Sequence, residues 1–257
     1  MNKPYYAIEF SAAACIAEIR VNDIAVLHLE LPGQASSLVP VNFAIPASGN
    51  QVLSARMLPL TGETKLNEQA KLAYTLKLYE VTNGFDLKET VLNYTFPDIS
   101  PDKAFPVAQK VQQFKGEVPY SFTGWQSGQD VSKIDDAQLL LRRAYDKLAN
   151  MIRNKDYPAF KKAIENREHI MATSMYLDGR KAKARVDNLI KDFESGFEVA
   201  PFPGDAIPVY YGNGKVAALR KPNGDHALSV INEEQEEEIL LDLAFYMPVN
   251  KTEFEVI

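Results

Sequence analysis

Cysteine is almost missing from this chain: Cys15 is the only one in 257 residues. An intrachain disulfide is therefore excluded, and so is a zinc site built on thiolates. Histidine is nearly as scarce. His28, His169 and His226 lie far apart, with no two at the short spacing that places imidazoles on one metal, so no metal or cofactor is expected. No apolar run approaches the roughly 18 residues that a membrane-crossing helix needs. No glycine-flanked serine elbow and no phosphate-binding loop occurs. The nearest match to the latter, Gly212-Asn213-Gly214, falls between two strand-like runs instead of before a helix. The net charge of −6 argues against a general nucleic-acid binder, which carries a basic field.

What remains is ordinary globular material, 46% hydrophobic and 24% charged, long enough for two hydrophobic cores. Residues 1–130 read as strands and turns. Tyr6, Ile8 and Phe10 alternate with Ala7 and Glu9, a period of two. Residues 16–21 and 24–31 are apolar-rich and flank Asn22-Asp23, a pair that tolerates the positive φ of a tight turn, so they predict a hairpin closed by Pro32-Gly33. Gly49-Asn50 marks another turn before residues 51–60, where Leu53, Ala55 and Met57 share one face. Thr82-Asn83-Gly84 between residues 72–81 and 85–96 is the strongest hairpin signal. Pro97, Pro101 and Pro106 interrupt regular structure, and a last strand is expected around residues 118–125. Several short strands with regular turns predict an all-β sandwich, jelly-roll-like in character.

The spacing changes after the polar stretch 126–130, read as a linker. Ala137, Leu140, Leu141, Ala144, Leu148, Met151 and Ile152 recur at three and four residues, the stripe of a helix, with Asp135 and Gln138 placed for a capping box. A second helix is expected from Asp156 with Pro158 in its first turn and Phe160, Ala163, Ile164, Ile170, Met171 and Met175 buried. A third follows Asp178-Gly179 and stops at Gly196. Strands are then expected at 207–211, 215–220, 226–231, 238–246 (the longest) and 253–257. Residues 135–257 thus predict an α+β domain, three helices packed on an antiparallel sheet.

Charge is unevenly spread. By residue count the net is −2 over 1–134, +3 over 135–195 and −7 over 196–257. The acidic part is densest at Glu233, Glu234, Glu236, Glu237 and Glu238. A run of this kind is either a solvated turn or a docking surface for a basic partner. The helical lysines and arginines alternate with acids and read as solvated faces, not as a nucleic-acid surface.

Two further site candidates rest on residue types. Asp242 interrupts an apolar run. If it lined a pocket with His226, His169, Tyr145 and Tyr176, carboxylate and imidazole together could perform acid/base work. Trp125 and Tyr120 could stack on a sugar ring if residues 118–125 formed an exposed sandwich edge. Ala12-Ala13-Ala14-Cys15 is similar to a lipoprotein cleavage site. Lys3 is the only preceding cation, though, and Glu9 interrupts the apolar stretch, so a first strand and a cytoplasmic location are the expectation over a periplasmic lipoprotein.

The order of elements over 135–257 resembles the cone-shaped α+β fold of the nuclear-transport-factor-2 and SnoaL-like group, which would place a site in the hollow between sheet and helices. Residues 19–26, 39–42 with Gly49-Asn50, and 209–222 (Val-Tyr-Tyr-Gly-Asn-Gly-Lys-Val-Ala-Ala-Leu-Arg-Lys-Pro) resemble bacterial two-domain proteins that accompany type VI secretion or polymorphic-toxin systems. That resemblance implies a non-catalytic protein-binding protein, in its most specific form an immunity protein that neutralises a toxin with a basic surface. A glycan-binding or structural accessory module and a small-molecule enzyme with a C-terminal pocket are the alternatives.

Overall fold

β1 (Pro4–Val21) runs for 18 residues and organises the first half of the chain. In the computed structural model, which describes residues 2–100 and 105–257, it pairs along nearly its whole length with β2 (Ile24–Pro40). The turn between them is Asn22 (φ 51°) and Asp23 (φ 62°), the left-handed pair that a two-residue hairpin requires. On its other edge β1 has two successive neighbours. Residues 4–13 pair with β4 (Lys71–Glu80), and residues 16–21 pair with β3 (Gly49–Leu58). β5 (Asp86–Thr95) and β6 (Ala108–Gly116) extend these two flanks, giving one six-stranded antiparallel sheet.

The change of neighbour falls at a bulge. Ala14 has φ 48°, and the β1–β2 register jumps there from Ala13 opposite Gln34 to Cys15 opposite Leu31. Pro32 and Gly33 lie opposite it, so they do not close the hairpin as the sequence suggests. Proline has no N–H to give the ladder, and both strands yield at one level. Ala14 stands opposite two residues of β2, and the buried positions of β1 change from even to odd across it: Tyr6, Ile8, Phe10 and Ala12 before, Cys15, Ala17, Ile19 and Val21 after. Both sets join one core with Leu53, Met57, Leu72, Tyr74, Leu76 and Phe114.

Three other expectations need correction in this half. Gly49 and Asn50 begin β3 instead of forming a separate turn. The strand after β5 is β6, whose polar residues conceal its alternation. Residues 118–125 form no strand, and a single 3-10 turn covers Trp125–Ser127. Pro101 lies outside the described residues.

The chain divides into two compact units between Phe122 and Thr123. The stretch 123–134 is bound into the second unit: Gln129 donates to the carbonyls of Pro248 and Lys251, and Val131 N–H to that of Gly214. Four helices follow, α1 (Ala137–Arg153), α2 (Tyr157–Ala163), α3 (Glu165–Ser174) and α4 (Gly179–Glu194). Asp156 and Asp178 cap α2 and α4 through Ala159 and Lys181 N–H, as their positions suggest. α1 starts after Asp136, and the expected Asp135 capping box is not made. The expected second helix breaks at Ile164, a buried corner whose backbone (ψ 2°) leaves helical geometry. Beyond it Ile170, Met171 and Met175 are only half-buried.

Six strands of the second unit are β8 (Ile207–Tyr211), β9 (Val216–Arg220), β10 (Ser229–Asn232), β11 (Glu237–Leu240), β12 (Phe245–Tyr246) and β13 (Glu255–Val256). With β7 (Glu198–Val199) they form two small antiparallel sheets, ordered β11-β10-β7 and β13-β12-β9-β8, where the sequence suggests one. The expected long strand over 238–246 is two short ones. Residues 241–244 cross from one sheet to the other while still burying Leu241 and Leu243 and exposing Asp242. Tyr145 fixes the crossing from α1. Its buried hydroxyl donates to Leu243 O (3.0 Å) and accepts from Leu219 N–H (3.1 Å). None of the described helices is long and apolar enough to cross a membrane.

Candidate functional site: the acidic hairpin and its surroundings

The β10–β11 hairpin pairs Ser229 with Leu240 and Asn232 with Glu237, leaving residues 233–236 as its tip. Asn232, 5% exposed, fixes that tip. Its Oδ1 accepts from Glu234 N–H (3.1 Å) and Gln235 N–H (3.2 Å), and its Nδ2 donates to Ser195 O (3.2 Å) just beyond α4. Glu236 takes the left-handed conformation (φ 53°) that returns the chain. All five glutamates of the run are exposed. Glu238 is tied down: bonds from Ser229 and Lys221 hold its carboxyl below the usual carboxylate range, with Lys221 Nζ at 3.3 Å. Glu233, Glu234, Glu236 and Glu237 have no cationic partner among the described residues. The tip is therefore an exposed turn of uncompensated negative charge, held by Asn232.

The second candidate assembles only in part. His226 and Asp242 meet, Nδ1 to Oδ1 3.3 Å. Arg220, which the sequence does not single out, sits between them. Its Nη1 is 2.6 Å from His226 Nδ1 and its Nη2 is 3.8 Å from Asp242 Oδ1. Burial pushes the His226 pKa down, Asp242 opposes this, and Arg220 adds to it, leaving a value of about 4. A guanidinium only donates, so Nδ1 accepts and the proton sits on Nε2. An imidazole whose basic nitrogen is already occupied in this way is a poor general base. Asp242 itself is 65% exposed at its side chain. Tyr145 is committed to Leu243 and Leu219, His169 is exposed on α3, and Tyr176 stands half-buried beyond α3, so these three do not complete a catalytic group.

The third candidate falls apart with the missing strand. Tyr120 belongs to the first unit, where its hydroxyl donates to Asn42 O (3.0 Å) and its ring stacks on Phe122 at 4.7 Å. Trp125 belongs to the second unit and rests on the β8–β9 turn. A Cβ on Gly212 (φ 58°) would come within 2.7 Å of the indole, so that turn needs glycine for space as well as for conformation. Trp125 is half-buried, with part of its surface already used by the turn.

Sequence reasoning passed over Arg167 and Glu168 and read Arg185 only as part of a solvated helical face. Glu168 joins the two arginines, bonding Arg167 and lying 2.7 Å from Arg185 Nε, while Arg167 Nε donates to Asp242 O at 3.1 Å. These residues stand on α3 and α4, and no local spacing announces their meeting. Comparison with protein-family models, curated proteins and solved structures finds no match to this chain. The class it defines is therefore stated from its own geometry: a curled antiparallel sheet, then a unit of four helices with two small antiparallel sheets.

Proposed function

We propose that this chain is a non-catalytic protein-binding protein that docks through the β10–β11 hairpin onto a basic partner surface. The observation that carries the reading is the tip itself: three exposed, unpaired glutamates on a turn held by buried Asn232, with Glu237 exposed at the start of β11 beside them. Charge fixed in place steers encounter and loses little side-chain and loop freedom on binding. The occupied Nδ1 of His226 argues in the same direction, because it leaves the Asp242 cluster without a free base. In the most specific form, resting on the resemblance of residues 19–26 and 209–222 to toxin-associated proteins, the partner is a toxin effector and the chain its cytoplasmic immunity protein. A sandwich-like first unit and a cone-like second unit would then serve as scaffold.

The test is binding to the product of the adjacent gene. Affinity is expected to fall steeply with added salt, and Glu236→Lys with Glu237→Lys is expected to weaken it by at least about tenfold. Binding that survives the double reversal and ignores salt would overturn the electrostatic reading.

A further inference from the structure

A cavity of about 280 Å³ opens between α3, α4 and residues 239–243. Its floor is apolar: Phe160, Ile164, Leu241 and Leu243 are buried there, and Leu189 flanks them. Its rim carries the two arginines joined by Glu168. Arg167 is well covered (17% exposed at the side chain) and Arg185 is half-exposed (43%). Glu168 neutralises one of the two charges and aligns both guanidinium groups. Arg185 uses only its Nε on Glu168, so its two terminal nitrogens remain to donate at the mouth. Asp192 and Asp242 also border the opening. The Asp242 carboxylate has the Arg220 guanidinium as its counter-charge at 3.8 Å, and Asp192 lies two helical turns along α4 from Arg185.

We infer that this cavity binds a small monocarboxylate with an apolar tail, the carboxylate on Arg185 and the tail against Leu241, Leu243 and Phe160. A guanidinium with free, parallel N–H groups is the side chain best matched to a carboxylate. The apolar floor beneath it rewards a hydrocarbon chain by burial. At the roughly 30 Å³ that a water occupies in the liquid, the volume holds about nine heavy atoms. That corresponds to a medium-chain carboxylate such as heptanoate. None of the five glutamates lines the cavity, so partner docking and ligand binding are tested by different substitutions and stand or fall separately.

The experiment is a titration of the full chain with heptanoate, heptanol and heptylammonium, followed by amide chemical shifts. Heptanoate is expected to saturate in the millimolar range or below, moving the amides of Arg185, Leu241 and Leu243, with heptanol weaker and heptylammonium weakest. Arg185→Gln, a change at a half-exposed position, is expected to weaken heptanoate about tenfold and leave heptanol unchanged. Val186→Phe, which projects into the cavity, should weaken both. Three results would each overturn the assignment: no saturable shift with heptanoate, heptanol or heptylammonium binding as tightly as heptanoate, or Arg185→Gln binding heptanoate like the parent.

Discussion

Arg220 and His226 face each other across the bridge between β9 and the chain leading to β10, with Arg220 Nη1 2.6 Å from the ring Nδ1. This contact sets the tautomer of His226, and burial, with Arg220 adding to it, makes protonation of the ring unfavourable. It converts an apparent acid/base pair with Asp242 into a structural link between β9 and the segment that joins the two small sheets.

The link has a pH signature. His226 titrates at about 4 in the fold, against an ordinary value of 6.5. Between these values the unfolded chain binds the extra proton and the folded chain does not. Stability should therefore decline as pH is lowered from 6.5 to 4, with no contribution from this ring above 6.5. Urea unfolding across that range should show the decline, and His226→Gln should flatten it. A His226 ring resonance that titrates near 6.5 would show that the contact does not hold in solution.

Glu18 supplies a second test, on the outer face of the first sheet. Its side chain is 7% exposed and bonded by Arg20 and Arg56, with His28 Nδ1 at 3.6 Å. Burial alone would raise its pKa; the bonds from His28, Arg20 and Arg56 outweigh burial and bring it to about 2. Glu18→Gln takes the carboxylate from Arg56 and leaves Arg20 with Asp23 alone, and should cost about 3 kcal/mol at neutral pH. That difference should persist above the ordinary carboxylate value of 4.5 and vanish as pH falls through about 2, where the parent is protonated as well. Chemical denaturation of both proteins over an acid series measures it.

The bulge at Ala14 makes the sharpest structural prediction. Removing Ala14 would put Cys15, Ala17, Ile19 and Val21 in one unbroken alternation with Tyr6, Ile8, Phe10 and Ala12, erasing the bulge at which β1 changes from β4 to β3 and mismatching its register with both. The deletion is expected to abolish cooperative unfolding of the first unit, read by near-ultraviolet circular dichroism and proteolysis. Ala14→Gly, which suits the positive φ better, should leave stability within about 1 kcal/mol of the parent or raise it.

Much of this architecture is legible locally. Asn22-Asp23 and Gly212-Asn213-Gly214 announce their turns, because few other residues accept the left-handed conformations they take; Asn83-Gly84 falls between β4 and β5 as expected, although neither residue takes a positive φ. Asp156 and Asp178 announce two helix starts for a similar reason. The bulge was also within reach: apolar positions are even at Tyr6, Ile8 and Phe10 and odd at Ala17, Ile19 and Val21. β6 was not, since Gln109, Lys110, Gln112, Gln113 and Lys115 leave little apolar alternation to detect.

The sequence by itself determined the turns, the helical stripes and the clustering of glutamates at 233–238, because each depends on the conformational preference or spacing of neighbouring residues. The tertiary structure alone decided the rest: which strand β1 meets on each side of Ala14, the break of residues 238–246 between two sheets, and the partners of Glu18, Glu168 and His226. Those outcomes turn on contacts between residues tens of positions apart, where burial and charge pairing are settled by the whole fold and leave no mark on local pattern.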